Sequence, residues 1–366
     1  MIIVQKEMGS KKTVALGMSG GVDSSVALFL LKEQGFEVLG VSLKFAFWEN
    51  PKNKLKENFC CSEDSLKRAK RVCEKYGTPH FIVDASKEFK KSIIDYFLES
   101  LKKNQTPSPC VFCNRDVKLA SLLNFAEEKN ADYIATGHYA RVEKDNSNFQ
   151  LLRAKDEEKD QTYFLSLLNQ KYLSKLILPL GGYTKKEIYQ IAKKEEIEFI
   201  SRESQDLCFV NNKLMPDFLE QEIGNKPGKI CDIDGNVLGN HQGLHFYTIG
   251  QRKGIKLAQG PFWVIDFDKK NNILIVTNDS KSLELFNKEV FLSDVNFISN
   301  KKPESPIKVT ARIRYRQSLS KATLALGGSA QVDWKLIFKE PQKAITPGQI
   351  AAFYNGSVCL GAGIIK

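Results

Sequence analysis

The chain has 366 residues, 42% hydrophobic and 27% charged, which is typical of a soluble globular protein with two or three domains. No window reaches the roughly 20 apolar residues of a membrane helix, and the N-terminal MIIVQKEMGSKK lacks the features of a secretory signal. We therefore expect a cytoplasmic protein with no membrane partner. The net charge of +11 suits a polyanionic partner such as nucleic acid, and equally a lysine-rich solvated surface.

The first two hundred residues alternate between short apolar runs and amphipathic segments. The predicted strands are residues 13–16, 36–43, 80–84 and 133–136, and the predicted helices are residues 24–33, 64–76, 88–103, 115–130 and 185–194. Strands that alternate with helices predict an α/β fold, in which a doubly wound parallel sheet carries helices on both faces. The pattern continues to about Glu203.

A change of pattern marks the later domains. From about Ile223, glycines recur every few residues between short β-prone runs. From Val290 onward, segments such as KVTARIRYRQ and IAAFYNGSVCLGAGII predict a small all-β unit that forms a barrel. We therefore predict an α/β domain at residues 1–208, a small central β-rich domain at 209–286 and a C-terminal β-barrel at 287–366.

The turn between the first predicted strand and the first predicted helix reads GMSGGVDS, from Gly17 to Ser24. Its glycines let backbone N–H groups approach an anion, and the helix N-terminus adds its dipole. Asp23 is suited to holding a Mg²⁺ ion that bridges phosphates. The turn is not a Walker A loop, because no lysine follows the glycines. Its glycine spacing does not match a G-x-G-x-x-G loop either. It resembles the PP-loop of the ATP pyrophosphatases, which cleave ATP between its α and β phosphates and act on several different acceptors.

Eight cysteines lie at positions 60, 61, 73, 110, 113, 208, 231 and 359. A chain of this size needs no disulfide framework, so they are packing residues, metal ligands or reactive thiols. Cys73, Cys231 and Cys359 lie in apolar periodic segments and are predicted to be buried as small hydrophobic residues.

Two other cysteines lie in polar segments. In TPSPCVFCNRDVK, Asn114 is predicted to cap a helix that begins near Arg115, which places Cys113 at a helix N-terminus beside cations. Both features lower a thiol pKa. Cys208 lies in a polar loop at the predicted domain junction, where apolar packing explains it poorly. Two such thiols beside an ATP-activating loop suggest sulfur transfer, in which one carries a persulfide and the other resolves it as a disulfide.

Zinc binding is the rival interpretation of these cysteines. Cys110 and Cys113 form half of a tetrahedral site, to which Cys60 or Cys61 can add a ligand. Adjacent cysteines are awkward paired ligands, and the sequence has no second C-x-x-C pair. We therefore expect no metal site made by protein ligands alone.

Eight blocks in one order, spread over essentially the full length, resemble the bacterial-type tRNA-specific 2-thiouridylases, the MnmA family. The blocks are GMSGGVDSS (17–25), CCSEDSLKRAKRV (60–72), TPSPCVFCN (106–114), ATGHYAR (135–141), KDQTYFL (159–165), SQDLCF (204–209), GLHFYTIGQRKG (243–254) and RIRYRQ (312–317).

The resemblance implies ATP-dependent 2-thiolation of the wobble uridine, position 34 of tRNA. Uridine O2 would be adenylated, and the products would be 2-thiouridine, AMP and pyrophosphate. Cys208 matches the persulfide carrier and Cys113 the nucleophile that forms a transient disulfide with it, while Asp23 would act with ATP-bound Mg²⁺. The residues that match the ATP site are Gly17, Met18, Ser19, Gly20, Gly21, Val22, Asp23, Ser24, Leu43 and Gly137.

The same resemblance implies tRNA contacts, with lysine, glutamate and glutamine tRNAs as the preferred acceptors. The matching residues are Ser108, Pro109, Cys110, His138, Lys159, Asp160, Gln161, Arg314, Tyr315, Arg316 and Gln349. Asp160 can equally cap a helix, His138 can be a satisfied strand-end histidine, and residues 314–316 can form a solvated strand face. One common version of the motif has aspartate in place of Cys110, so Cys110 is a second candidate resolving thiol. A cysteine desulfurase or a sulfur-relay protein would supply the sulfur.

Two other functions stay open. A PP-loop ligase that uses ammonia, such as a GMP-synthetase relative, would remain active without Cys113 and Cys208. A non-catalytic tRNA-binding protein with a vestigial nucleotide loop would bind tRNA without converting ATP to AMP.

Overall fold

The computed structural model describes residues 11–50, 58, 61–199, 207–258, 260–329 and 332–366. The strands of these residues are β1 (Thr13–Gly17), β2 (Glu37–Lys44), β3 (His80–Asp84), β4 (Tyr133–Ala135), β5 (Ala140–Asp145), β6 (Asn148–Arg153), β7 (Leu176–Ile177), β8 (Gly228–Cys231), β9 (Val237–His241), β10 (Trp263–Asp268), β11 (Ile273–Thr277), β12 (Phe286–Phe297), β13 (Ile307–Arg312), β14 (Ser320–Ser329), β15 (Val332–Lys343), β16 (Ile350–Asn355) and β17 (Val358–Ile365). Their α-helices are α1 (Val22–Glu33), α2 (Glu63–Lys75), α3 (Ser86–Phe89), α4 (Tyr96–Lys102), α5 (Pro109–Phe112), α6 (Ala120–Glu128), α7 (Thr162–Leu165), α8 (Gln170–Leu173), α9 (Lys185–Lys194) and α10 (Met215–Glu222).

The N-terminal domain is built on a five-stranded parallel sheet of order β3-β2-β1-β4-β7. Side chains alternate along β1, so that Val14 and Leu16 pack with α1 and α9 on one face while Ala15 packs with α6 on the other. Helices therefore cover both faces of the sheet, and the predicted doubly wound α/β domain is confirmed.

The predicted helix at residues 115–130 begins earlier than expected. Helix α5 starts at Pro109 and continues through a π-helical turn, Cys113–Leu119, into α6. Proline suits the first helical position because it has no N–H to leave unpaired there. The predicted cap at Asn114 is therefore wrong, and Cys113 lies inside the helix rather than at its N-terminus. A similar π-helical turn, Lys90–Asp95, joins α3 to α4.

A β-hairpin that the sequence analysis did not predict links the first domain to the last. Strands β5 and β6 pair antiparallel around a turn in which Asn146 has a φ of 50°. Strand β6 also pairs with β17, so the hairpin extends the C-terminal sheet.

The C-terminal domain is a closed barrel. Its six strands follow the order β12-β15-β14-β13-β16-β17, and β12 pairs again with β17 to close the sheet. The interior contains Leu336, Phe353 and Trp334, all nearly inaccessible to solvent. A four-stranded sheet of order β10-β11-β8-β9 forms the central domain around Ile230 and Val264. The predicted architecture of an α/β domain, a small β-rich domain and a β-barrel is thus confirmed.

Candidate active site

The turn that connects β1 to α1 has the geometry of an anion site. Gly20 has a φ of +70°, and a Cβ at this position would lie 2.1 Å from the carbonyl oxygen of Ser65 in α2, so only glycine fits. Gly21 is the N-cap of α1 and makes no side-chain capping bond. Ser24 Oγ accepts the Ser19 N–H at 3.3 Å. The first N–H groups of α1 have no partner within the helix, so they are placed to meet a ligand.

Asp23, in the first turn of α1, is held by two donors. The Tyr139 hydroxyl donates to Asp23 Oδ1 at 2.7 Å, and Lys185 Nζ lies 2.6 Å from the same oxygen. Burial, followed by the negative charge of Asp23, raises the pKa of Tyr139, so this phenol stays protonated. The sequence analysis did not predict a role for Lys185, because a lysine directly after the helix cap Thr184 is an ordinary first residue of a helix.

Two further predicted nucleotide residues lie at the same edge of the sheet. A Cβ on Gly137, after β4, would lie 2.9 Å from the carbonyl carbon of Asp23 and 3.0 Å from the N atom of Ser24, so glycine is needed for this strand end to approach α1. Leu43 lies near the end of β2 and is half-buried. Gly137 therefore lies against the N-terminus of α1, and Leu43 lies near the end of the neighbouring strand β2.

This turn fits a phosphate chain. Gly20 and Gly137 let α2 and the end of β4 approach the turn closely, and the helix N-terminus supplies N–H donors. The side chain of Asp23 remains 35% exposed, so its carboxylate is accessible to a Mg²⁺ ion, in competition with Lys185. No group of three or more histidine, cysteine, aspartate or glutamate side chains in the described part of the chain is arranged to hold a metal ion. Cys60, considered above as a zinc ligand, lies outside the described residues.

Cys113 and Cys208 lie in one apolar cluster at this edge. Cys113 is 5% exposed, and Cys208 is half-buried against the cluster. Its neighbour Phe209 is fully buried, and the Trp48 N–H donates to the Phe209 carbonyl at 2.9 Å. The prediction that apolar packing explains Cys208 poorly is therefore corrected, because packing holds this segment in place.

The basis for the predicted activation of Cys113 also differs from expectation. The thiol lies in a π-helical turn rather than at a helix N-terminus. Arg115 Nε lies 2.6 Å from Asp116 Oδ1, so a carboxylate neutralises this cation. The predicted position of Cys113 at a helix N-terminus is therefore wrong, and the Arg115 charge is paired with Asp116.

One residue beside Cys208, Asn58, was not predicted from the sequence. Asn58, which is 1% exposed, donates from Nδ2 to the Ala46 carbonyl at 2.8 Å and to Cys208 Sγ at 3.7 Å. Cys61 is buried in the same cluster, and its Sγ accepts the Phe45 N–H at 3.2 Å. Asn58 falls in a polar, lysine-rich stretch with no periodic pattern, so no sequence signal marked it.

The loop that precedes Cys110 is held by both β-domains. Gln349 Nε2, from the barrel, donates to the carbonyls of Thr106 and Pro107, at 3.0 Å each. Thr106 also bonds to Thr248 of the central domain through its hydroxyl, at 3.1 Å. Gln349, predicted to contact tRNA, is thus placed to position the loop. Cys110 itself is exposed.

Buried polar atoms flank the thiols on this helix. Ser108 Oγ and Asn114 Oδ1 have no hydrogen-bond partner among the described residues. Both residues are at least 94% buried, with exposures of 6% and 3%. An unsatisfied buried acceptor costs free energy, so these atoms are candidates to meet a polar ligand. Pro109, between Ser108 and Cys110, is buried.

His138 is placed as a neutral imidazole. Its Nδ1 lies 2.7 Å from Thr136 Oγ1. Burial, with a smaller contribution from the positive charge of Lys118, lowers the pKa of His138 to about 3. The ring therefore carries no charge at neutral pH.

The three residues of KDQTYFL that were predicted to contact tRNA, Lys159, Asp160 and Gln161, have different surroundings. Lys159 is exposed. The Asp160 side chain is fully inaccessible, and its Oδ2 lies 2.6 Å from Nη2 of the buried Arg312 in β13. Gln161 Oε1 accepts the Tyr139 N–H at 2.8 Å. In this conformation Asp160 joins the first domain to the barrel.

The predicted cation–aromatic segment at residues 314–316 lies in a turn after β13 rather than on a strand. Arg314 points inward, and its Nη2 donates to the Ala344 carbonyl at 2.5 Å. Tyr315 packs on Phe164, with ring centroids 4.2 Å apart. Arg316 alone of the three is exposed, so it is the member that is accessible to a polyanion.

The cysteines predicted to be packing residues are buried. Cys73, Cys231 and Cys359 are 0%, 6% and 1% exposed, which confirms that prediction. Burial raises the pKa of the Cys73 and Cys359 thiols to about 12.

Among the helices of the described residues, none has the length and apolar character needed to cross a bilayer.

Family models match the chain in three consecutive pieces. They are described as a tRNA methyl transferase HUP domain at residues 12–212, a tRNA methyl transferase PRC-barrel domain at 216–278 and an aminomethyltransferase beta-barrel domain at 287–365.

Curated relatives match over nearly the whole length. A tRNA-specific 2-thiouridylase MnmA 1 of Geobacillus kaustophilus is 40% identical over 97% of this chain and 95% of its own. A tRNA-specific 2-thiouridylase MnmA of Halothermothrix orenii is 44% identical over 96% of this chain and 98% of its own. With this identity over complete domains, the chain belongs to the MnmA family of tRNA-specific 2-thiouridylases.

Proposed function

We propose that this enzyme uses ATP to replace O2 of the wobble uridine of tRNA with sulfur, yielding 2-thiouridine, AMP and pyrophosphate. Membership of a tRNA sulfurtransferase family supports the reaction class. The observation that carries the proposal for this chain is the placement of Cys113 and Cys208 in one cluster at the sheet edge where the phosphate-binding turn also lies. Ligands of open parallel sheets bind at this edge.

The first step is activation of the base. Uridine O2 attacks the α phosphorus of ATP, pyrophosphate leaves, and the proton on N3 is lost to solvent. The turn from Gly17 to Ser24 would bind the phosphates through its N–H groups, and Asp23 would hold the accompanying Mg²⁺. Leu43 and Gly137 would border the nucleotide from the neighbouring strands.

The second step delivers sulfur. The terminal sulfur of a Cys208 persulfide attacks C2, and AMP leaves with the original O2. The Cys113 thiolate then attacks Cys208 Sγ, which breaks the persulfide bond and leaves its electron pair on the sulfur now bonded to C2. The products are 2-thiouridine and a Cys113–Cys208 disulfide, which an external dithiol reduces before the next turnover. Apolar packing around Cys113 supports this role by limiting water near the exchange.

The target base has to leave the stack to reach these thiols. Ser108 and Pro109 would meet it beside Cys110, and the unsatisfied Ser108 Oγ supports this assignment. Exposed Lys159 and Arg316, with His138 and Gln161 nearer the α/β core, are proposed to bind the surrounding RNA. We propose lysine, glutamate and glutamine tRNAs as substrates and a cysteine desulfurase or sulfur-relay protein as the donor.

The test is a reconstituted thiolation. The enzyme is incubated with ATP, Mg²⁺, unmodified tRNA and a persulfide donor, and the tRNA nucleosides are analysed by mass spectrometry. We expect 2-thiouridine and equimolar AMP with the wild type, and loss of the product with Cys208→Ala or Cys113→Ala. Cys231→Ala, which removes a buried thiol of the central domain, is the matched control.

The rival functions give different results in this assay. An ammonia-using ligase would form no 2-thiouridine and would continue to convert ATP to AMP after both thiols are replaced. A non-catalytic tRNA-binding protein would bind tRNA and form no AMP. Full product formation by Cys208→Ala would contradict the persulfide route.

A further inference from the structure

A buried arginine lies directly behind the phosphate-binding turn. Arg68 of α2 is 9% exposed, and its Nε donates to the Gly20 carbonyl at 3.2 Å. Its Nη2 donates to Ser65 Oγ at 3.0 Å. Arg68 is thus connected to the one residue of the turn that has a positive φ.

The charge of Arg68 is not neutralised by a carboxylate of the described residues. Both of its acceptors are neutral. Glu63 pairs with Lys67 and Glu198 with Arg71, while Asp64, four residues earlier on α2, is exposed and forms no ion pair with Arg68. Buried guanidinium groups are ordinarily paired, because a lone buried charge is costly. An anion bound at the turn would supply the missing negative charge.

The hydrogen bond to Gly20 also sets the direction of the next N–H. In a planar trans peptide the C=O and the N–H point in opposite directions. Because Arg68 holds the Gly20 carbonyl toward α2, the Gly21 N–H of the same peptide points away from α2. Ser24 Oγ and Ser25 Oγ hold the Gly21 carbonyl in turn, at 3.0 Å each. Both glycine carbonyls, which would repel an anion, are thereby turned to protein donors.

We propose that Arg68 is a positioning residue of the phosphate site, which holds the Gly20–Gly21 peptide with its N–H toward the phosphates of ATP and adds an unneutralised positive charge behind it. The inference rests on the proposed use of ATP. It concerns the phosphates only, so it makes a prediction that differs between ATP and adenosine.

The test compares the affinities of ATP and adenosine, measured by calorimetry on the full-length chain without tRNA. We expect Arg68→Gln, which removes the charge but keeps amide donors, to weaken ATP binding about tenfold, as for one charge-assisted hydrogen bond, and adenosine binding less than twofold. Arg68→Lys, which keeps the charge, should recover part of the ATP affinity. Arg71→Gln, one turn later on α2 and exposed, is the matched control and should leave both affinities unchanged.

A second readout follows the peptide itself. The Gly21 amide proton should move downfield when ATP binds to the wild type, and this shift should be smaller in Arg68→Gln. A purely structural role for Arg68 would instead weaken ATP and adenosine equally, or change only the melting temperature. Equal ATP affinity and an equal Gly21 shift in the wild type and Arg68→Gln would overturn the inference and leave the proposed function standing.

Two further outcomes distinguish ATP phosphate from RNA phosphate as the ligand, and this inference from the proposed function. If Arg68→Gln weakens tRNA binding but not ATP binding, the charge serves RNA phosphate and the inference is wrong. If the wild type binds no ATP, the proposed function and the inference both fail.

Discussion

Lys185 and Asp23 form an ion pair across two helix N-termini, with Nζ 2.6 Å from Oδ1 and the two side chains 20% and 35% exposed. Lys185 follows the cap of α9, and Asp23 lies in the first turn of α1. The pair therefore connects a helix that carries no predicted site residue to the phosphate-binding turn.

We expect Lys185→Met to lower ATP-to-AMP conversion at least tenfold, because one charge-assisted contact near the phosphates corresponds to about 1.4 kcal/mol or more. Asp23→Asn should have a similar effect, and the double variant should be less impaired than the sum of the two predicts, since the residues act as a pair. AMP formation in the presence of tRNA measures all three. Lys186→Met, at the exposed neighbouring position, should have no effect, and an equal loss in that variant would argue against a specific role for Lys185.

Gln349 gives a prediction that separates loop positioning from RNA contact. Its amide donates to the Thr106 and Pro107 carbonyls, at 3.0 Å each. Gln349→Ala loses both bonds, at about 1 kcal/mol each, so we expect thiolation to slow about thirtyfold with ATP affinity unchanged. If the residue positions the loop, kcat falls while the affinity for tRNA stays within twofold. A weaker affinity for tRNA with unchanged kcat would indicate a direct RNA contact instead.

Breaking the Asp160–Arg312 ion pair should lower the free energy of unfolding, because this pair joins the α/β domain to the barrel. Both side chains are buried and the charged atoms lie 2.6 Å apart. Arg312→Met removes the closer of the two cations that face this buried carboxylate and leaves Arg153 Nε at 3.7 Å, so unfolding should become easier by about 3 kcal/mol. Denaturant unfolding measures this loss, and the double variant Arg312→Met with Asp160→Leu should recover part of it. Glu157→Gln, which removes an exposed partner of Arg153, is the control and should change stability by less than about 1 kcal/mol.

His138 predicts a dependence of stability on pH. Its pKa in the folded state is lowered to about 3 by burial, while the unfolded state has the ordinary value of about 6.5. Between these values the unfolded state binds the extra proton, so the stability contributed by the neutral ring is lost as the pH falls. The free energy of unfolding should therefore decrease by about 1 to 2 kcal/mol from pH 7 to pH 5 because of this residue. His138→Gln should show that much less decrease over the same range, and identical slopes would contradict the assignment.

The sequence predicted what depends on local pattern and missed what depends on contacts between elements that are distant in sequence. Alternating apolar runs located β1 to β4, and the strand–glycine–helix order located the turn before Asp23. The roles of Lys185 and Arg68 arise because α9 and α2 pack beside that turn, and the role of Asn58 arises from its contact with Cys208. No periodicity in the sequence reports such contacts.

The same limit applies at two further positions. Asn114 was predicted to be a helix cap, but the two prolines and Ser108 allow the helix to begin at Pro109, which buries Cys113 within it. Asp160 was predicted to contact tRNA or to cap a helix, and its pairing with Arg312 was not foreseen because the barrel strand that carries Arg312 is 152 residues away.

Asn58 gives a prediction about the reactivity of Cys208. Its Nδ2 donates to Cys208 Sγ at 3.7 Å from a fully buried position, and a donated N–H stabilises negative charge on sulfur. Asn58→Leu should therefore slow alkylation of Cys208 by iodoacetamide at pH 7 about threefold, as measured by peptide mass spectrometry. Alkylation of the exposed Cys110 in the same sample should be unchanged and serves as an internal control. Asn50→Leu, which removes an exposed contact to Gln221 in the same region, should leave Cys208 unaffected. Faster alkylation of Cys208 in Asn58→Leu would show that the asparagine shields the thiol rather than stabilising its charge.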